Sequence, residues 1–140
     1  MFKQLTPALA VSPQISTADV RLAASQGVVC IINNRPDGEA PDQPPGDSIR
    51  TAAELAGLRY VAIPVDARGV DAAMVAAMAD ALATGKTLAF CRSGTRSTNL
   101  WSLAAAQQGG SIAEITATAG AAGYDVSGLA GTMAKLGGQP

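Results

Sequence analysis

The run Leu88-Ala89-Phe90-Cys91-Arg92-Ser93-Gly94-Thr95-Arg96-Ser97-Thr98 constrains this chain more than any other stretch. It reads as a buried strand, a tight polar loop and the start of a helix. A cysteine stands at the strand exit and an arginine at the helix entry. Backbone N–H groups in such a loop converge on a concave site for an anion. The following helix adds unpaired N–H groups and the positive end of its dipole. Gly94 permits the sharp turn and a close approach of backbone to ligand. Arg96 can close the ring with a planar fork that suits an oxyanion better than lysine would. Arg92, Ser93 and Thr95 complete the loop, and Ser97 or Thr98 is expected to cap the helix. A hydroxyl there can also bond a thiolate.

Cys91 lies where its anion is favoured. A free thiol has a pKa of about 8.5, and helix N-termini with nearby arginine lower it to roughly 3.5–7.5. The charge pattern agrees: between Asp80 and Glu114 there is no acidic residue, while Lys86, Arg92 and Arg96 fall in that interval. A net charge of −1 therefore conceals a locally positive site. The plain alternative is a capped helix after a core strand, with Cys91 as a structural cysteine. Two arginines, Gly94 and the cysteine within six residues favour the site.

Composition bounds what surrounds this loop. At 140 residues, 48% hydrophobic and 15% charged, the chain is expected to form one globular domain over residues 1–140, with a single core. Near-neutral charge argues against a broad nucleic-acid or membrane surface, and no run approaches the length of a spanning helix. Met1-Phe2-Lys3-Gln4-Leu5-Thr6-Pro7 shows no basic region followed by a long apolar core, so no secretory signal is expected. Two cysteines in an ordinary composition suit a reducing cytoplasm. The chain has no histidine. That removes Cys-His and Ser-His-Asp machinery, histidine-based zinc sites and haem histidine. No metal and no cofactor is expected, and a reactive Cys91 must be activated by backbone dipoles and arginines.

Along the chain, strands and helices alternate. Leu9–Ser12 reads as a short first strand, with Ser16 or Thr17 capping a helix to about Gln26. Val28–Asn33 is a β-branched run that fits a strand buried on both faces. Asn34–Ser48, with four prolines and two glycines, reads as a loop, and Ile49–Ala56 as a helix stopped at Gly57. Tyr60–Val65 is a strand whose Pro64 marks its end or an edge. A helix follows from about Asp71 to Thr84, with Val70, Met74, Met78 and Leu82 as its buried stripe. Lys86–Cys91 is the strand that feeds the loop, and Thr98–Gln108 the helix beyond it. Ser111–Ala119 and Val126–Leu136 read as closing helices, and Gly137–Pro140 as a flexible tail. This order predicts an α/β fold: three layers, with a mostly parallel central sheet flanked by helices. Ligands bind outside the carboxyl ends of such strands. Three loops share that edge: Asn33–Glu39, Val65–Gly69 and Cys91–Arg96.

Four segments carry a family resemblance: Val11-Ser12-Pro13-Gln14-Ile15, Ile32-Asn33-Asn34-Arg35-Pro36-Asp37-Gly38-Glu39, Tyr60-Val61-Ala62-Ile63-Pro64-Val65 and Cys91-Arg92-Ser93-Gly94-Thr95-Arg96-Ser97. Together they resemble the phosphatase-like domain of the bacterial beta-lactamase hydrolase-like proteins (DUF442), over residues 3 to about 128. The resemblance implies a tyrosine/dual-specificity phosphatase-like fold, with Cys91 as nucleophile, Arg92 to Arg96 as a phosphate-type cradle and Arg96 as the anion clamp. In some proteins this domain is fused to a metallo-β-lactamase-like sulfur dioxygenase. A chain without histidine cannot hold that metal site, so this is expected to be the phosphatase-like domain alone. The sequence departs from the usual tyrosine phosphatase pattern twice. Phe90 replaces the histidine before the cysteine, and four residues, not five, separate Cys91 from Arg96. The shorter spacing is that of the rhodaneses, which carry sulfur on cysteine as a persulfide.

Three functions stay open on these residues. As a phosphatase-like hydrolase, the chain would need a general acid. Asp66 is the first candidate, placed just after Val65 where related phosphatases carry theirs; Asp71 reads better as a helix cap. As a rhodanese-like sulfurtransferase, Cys91 would take sulfane sulfur and need no strong acid. As a non-catalytic anion- or redox-sensing module, the pocket would bind without turnover, and a Cys30–Cys91 disulfide is conceivable. Asn33 and Arg35 are expected at the pocket rim. Arg35 either binds substrate or pairs with Asp37 or Glu39 to order its loop. The expected partner is a small oxyanion-bearing substrate, a phosphate ester or a sulfane sulfur donor. The exposed helices could support a homo-oligomer, though nothing in the sequence selects one.

Overall fold

The computed structural model describes residues 2–140 and forms a five-stranded sheet between two layers of helices. In chain order the elements are β1 (Lys3–Thr6), β2 (Leu9–Ser12), α1 (Thr17–Ser25), β3 (Cys30–Asn33), α2 (Gly46–Leu55), β4 (Arg59–Ala62), α3 (Ala72–Leu82), β5 (Thr87–Phe90), α4 (Thr95–Gln107), α5 (Ile112–Ala121), a short 3-10 turn (Ser127–Leu129) and α6 (Ala130–Leu136). The sheet order is β1-β2-β5-β3-β4. Only the β1–β2 pair is antiparallel; β2, β5, β3 and β4 run parallel. The mostly parallel three-layer arrangement expected from the alternation is thus the fold observed.

The sheet's pleat sorts its side chains to two cores. Val11, Ala89, Ile32 and Cys30 face one way, under Val75 and Met78 of α3, Leu100 and Leu103 of α4, Ile115 of α5 and Met133 of α6. Ala10, Leu88, Phe90 and Ile31 face the other way, under Val20 and Ala23 of α1 and Ile49 and Ala53 of α2. β5 sits between β2 and β3, and all four of its residues are buried. Helix caps follow the sequence signals in several places. Ser16 and Asp19 form a reciprocal capping box on α1, and Asp71 Oδ1 accepts the Met74 N–H of α3 at 2.9 Å.

The structure corrects the sequence reading at several elements. β1 was not expected: Lys3–Thr6 buries only Leu5 and lies at the sheet edge. α2 starts at Gly46, earlier than Ile49, because Asp37 reaches back from the preceding loop to accept the Gly46 N–H at 2.8 Å. The buried stripe of α3 is Val75, Met78 and Ala81, one step round from Val70, Met74 and Leu82, which are only partly buried. Gly137–Pro140 is not a free tail. Gly137, at φ 113°, turns the chain back, and Gln139 N–H donates to Gly110 O at 2.9 Å while Ile112 N–H donates to Gln139 O at 2.7 Å. Among the described residues no helix is long and apolar enough to cross a membrane.

Candidate active site

Four chain segments leave the carboxyl edge of the parallel strands and are cross-linked by backbone hydrogen bonds. Cys91 N–H donates to Ser12 O at 3.4 Å, Gln14 N–H to Arg92 O at 3.3 Å, Asn34 N–H to Phe90 O at 2.8 Å and Val65 N–H to Asn34 O at 3.0 Å. The stretch Phe90–Arg92 that opens the loop is therefore bonded to the segments after β2 and β3, and the segment after β4 is bonded to the latter. Three of these four segments were expected from the sequence; the one after β2, carrying Gln14, was not.

Cys91 is fully buried at the floor of its loop. Gly94 N–H donates to its sulfur at 3.1 Å. Burial pushes the Cys91 thiol up, but the backbone N–H groups of Ser97, Ser93, Gly94 and Arg96 aimed at the sulfur outweigh it, and the thiol lies below its ordinary value. The thiolate is thus stabilised by backbone donors without any imidazole. Gly94 makes this geometry possible: it sits at φ 92° and serves as the N-cap of α4. α4 accordingly begins at Thr95, three residues before the expected start. Ser97 and Thr98 do not cap it. Thr98 Oγ1 donates to Gly94 O at 2.8 Å, while Ser97 Oγ is buried without a hydrogen-bond partner among the described residues. Ser93 Oγ bonds Thr95 Oγ1 at 3.0 Å on the exposed side of the loop, and Arg92 projects outward.

Arg96 reaches back over the sheet edge. Its Nη1 donates to Glu39 Oε2 at 2.6 Å and to Val65 O at 2.8 Å, and its Nη2 to Glu39 Oε1 at 2.9 Å. Its guanidinium is raised above its ordinary value, first by Glu39 and to a lesser degree by the nearby Cys91. Glu39 was not singled out as a site residue, yet it is the hub. Its carboxyl is held down at about 2, chiefly by Arg96, against the cost of burial and with help from Arg35. Arg35 makes the loop-ordering pair that the sequence offered as one of its two options. It is buried, with Nε on Glu39 Oε1 at 3.0 Å and Nη1 on Gln14 Oε1 at 3.1 Å. Asn33 is likewise turned to structure: its Oδ1 accepts the Arg35 N–H at 2.9 Å and its Nδ2 donates to the Tyr60 hydroxyl at 2.9 Å.

Asp66 follows Val65, the residue whose carbonyl holds Arg96, so its loop borders the site. Its carboxylate, however, is engaged by its own turn. Arg68 Nη2 and Nε donate to Oδ2 at 2.7 and 3.1 Å, and the Arg68 N–H donates to Oδ1 at 2.9 Å. These bonds, the side-chain ones first, hold Asp66 below the usual carboxylate value. Cys30 lies elsewhere. It pairs with Thr87, four residues before Cys91, which at about 3.3 Å per residue separates the two cysteines by about 13 Å. Disulfides need Cα atoms within about 7 Å, so a Cys30–Cys91 bridge is ruled out in this fold. Burial pushes the Cys30 thiol up, as for a core residue.

One more side chain touches the loop. The Tyr124 hydroxyl, from the connection after α5, donates to Ser93 O at 2.9 Å. Nothing in the sequence pattern marked it, because it lies 31 residues downstream in a small-residue segment.

Comparisons with known proteins show the family. The sequence model of the beta-lactamase hydrolase-like protein, phosphatase-like domain, matches residues 1–109. A beta-lactamase hydrolase-like protein of Xylella fastidiosa is 42% identical over 97 residues, which are 68% of this chain and 22% of that relative. The chain therefore spans about a fifth of the length of such curated relatives. A crystal structure of a candidate phosphatase from Neisseria meningitidis is 32% identical, covers 96% of each chain and superposes with a TM-score of 0.81. Tk-PTP in its active form, at 16% identity, shares the fold alone, with a TM-score of 0.73 over 96% of this chain and 93% of its own. On the family match over residues 1–109 and the identity to such relatives, the chain belongs to the family of the phosphatase-like domain of beta-lactamase hydrolase-like proteins.

Proposed function

We propose that this protein is a cysteine-dependent phosphatase-like hydrolase that acts on a small anionic substrate through Cys91. The observation that carries the reading is the buried Cys91 sulfur accepting the Gly94 N–H at 3.1 Å at the mouth of α4, in a loop whose backbone donors hold the thiol below its ordinary value. The thiolate attacks phosphorus, the bond to the leaving oxygen breaks, and a thiophosphoryl-cysteine forms. Water then attacks that phosphorus and releases inorganic phosphate and the thiolate. Loop N–H groups and Arg96 stabilise charge on the equatorial oxygens in both steps. Arg92, Ser93, Thr95 and Ser97 contribute the remainder of the cradle, mostly through backbone. Glu39 holds Arg96 in place, and Arg35 holds Glu39. Asp66, once released from Arg68 and protonated, serves as general acid and gives its proton to the leaving oxygen.

A second reading is favoured by three specific observations: the four-residue spacing from Cys91 to Arg96, the fully buried Cys91, and a candidate acid paired with Arg68. In sulfur transfer the thiolate attacks the outer sulfur of thiosulfate, the S–S bond breaks, sulfite leaves as a stable anion, and Cys91 carries a persulfide. A thiolate or cyanide then takes that sulfur. Neither step needs a protonated acid.

The deciding experiment assays an aryl phosphate and thiosulfate plus cyanide side by side, with wild type and Cys91→Ser. Phosphate release that disappears in Cys91→Ser supports hydrolysis. Release that survives the substitution refutes it. Cyanide-labile sulfur on Cys91 with no phosphate release assigns the site to sulfur transfer.

A further inference from the structure

We propose that Tyr124 is a positioning residue for the thiolate: by holding the Ser93 carbonyl, its hydroxyl aims the Gly94 N–H at the Cys91 sulfur. The argument rests on the peptide unit joining Ser93 to Gly94. In a trans peptide the C=O and the following N–H point in opposite directions across one plane. Here each end of that single plane has a partner. The Ser93 oxygen accepts from the Tyr124 hydroxyl at 2.9 Å, and the Gly94 N–H donates to Cys91 Sγ at 3.1 Å. Fixing one end fixes the other.

Without Tyr124 this peptide would have little reason to keep its orientation. Gly94 has no Cβ to bias its backbone, and Ser93 is exposed, so water could satisfy the carbonyl after a flip. Gly94 is also the residue that lets Tyr124 come so close, since a Cβ there would collide with the hydroxyl. The tyrosine itself is anchored away from the loop. It is 8% exposed, its N–H donates to Ala119 O at 2.9 Å to close the end of α5, and Lys3 Nζ of β1 lies 4.9 Å from its ring centroid. A donor on the Ser93 oxygen also polarises the peptide and strengthens its N–H as a donor. Tyr124 lies beyond residues 1–109, the part that matches the family model, so the C-terminal segment contributes to the site as well as to the fold.

The inference rests on Cys91 being the reacting thiolate, but its test needs no substrate. The pH dependence of Cys91 alkylation by iodoacetamide is measured for wild type and Tyr124→Phe, with circular dichroism confirming the fold. The variant keeps the ring and removes only the hydroxyl. The expected result is an alkylation midpoint roughly one pH unit higher in Tyr124→Phe, with a rate about tenfold lower below that midpoint. An unchanged midpoint in a folded variant overturns the proposal. A second measurement on wild type decides the matter even if the variant does not fold. The Gly94 amide resonance should move with the Cys91 titration and exchange slowly with solvent; an amide that ignores the titration overturns the proposal. A wild-type Cys91 that titrates like a free thiol would instead refute the thiolate reading, and Tyr124 would fall with it.

Discussion

Glu39 grips the guanidinium of Arg96 with both carboxylate oxygens, at 2.6 and 2.9 Å, across 57 residues of sequence. The same carboxylate holds Arg35, so one side chain couples the loop after β3 to the loop after β5. Replacing it with glutamine leaves the buried Arg35 guanidinium without a counter-charge. Glu39→Gln is expected to destabilise the protein by about 2 kcal/mol, less than a fully buried pair would because Glu39 and Arg96 are partly exposed. The thermal unfolding midpoint should fall by several degrees, and turnover should drop with the loss of Arg96 orientation. Calorimetry alongside the aryl phosphate and thiosulfate assays checks both.

The acid limb of stability follows from the same pair. Glu39 titrates at about 2 in the fold, against roughly 4.3 in an unfolded chain. A carboxyl with a depressed folded value contributes stability that is present above the unfolded value and lost as pH falls through the folded one. The contribution of Glu39 should therefore be complete at neutral pH and fade between about pH 4 and pH 2. Unfolding midpoints of wild type and Glu39→Gln, followed across that range, are expected to converge towards its lower end.

The two cysteines should be chemically distinguishable. Backbone donors bring the Cys91 thiol down, while burial pushes Cys30 up. Limited iodoacetamide treatment of the native protein near neutral pH should label Cys91 and spare Cys30, with both labelled after denaturation. Peptide mass spectrometry reads the outcome, and native labelling at Cys30 first would contradict it.

Arg68 sets the charge state of Asp66. Arg68→Ala removes the side-chain bonds that hold Asp66 low, so the carboxyl should rise towards its ordinary value. A higher acid pKa keeps the proton to higher pH. If Asp66 protonates the leaving oxygen, the basic limb of kcat against pH moves upward in Arg68→Ala, more visibly for an alkyl than for an aryl phosphate. An unmoved limb removes Asp66 from the reaction.

Gly94→Ala tests the turn. A β-carbon at φ 92° is strained and meets the Tyr124 hydroxyl as well. The expected cost is about 1–3 kcal/mol, together with an upward shift of the Cys91 alkylation midpoint as the loop N–H groups lose their aim. Denaturant unfolding and the alkylation profile measure the two effects separately.

The order of strands and helices was largely legible, because buried parallel strands announce themselves as apolar runs and Val28–Asn33 and Leu88–Phe90 are such runs. The cysteine loop was legible for a local reason too, since its cysteine, glycine and arginine lie within six residues. What escaped was non-local. Glu39 is one acidic residue in a proline-rich loop until Arg96 arrives from the far side of β5. Tyr124 touches Ser93 only because α5 and α6 pack beside α4. The start of α4 was misplaced because the usual preference for a Ser or Thr cap lost to Gly94, whose N–H is engaged by the sulfur. β1 escaped because an edge strand with one buried side chain has almost no hydrophobic pattern.

The central position of β5 has a dynamic consequence. Its neighbours on both sides are parallel strands and both its faces are covered, so its amides should exchange with solvent only when the molecule opens as a whole. Cys91 inherits that rigidity. The proline-rich crossover from β3 to α2 holds Glu39, which grips Arg96, so a change in its length moves the guanidinium beside the sulfur while leaving the buried strand intact. Natural variation in what such a site accepts is therefore expected to accumulate in that crossover, while β5 stays nearly invariant.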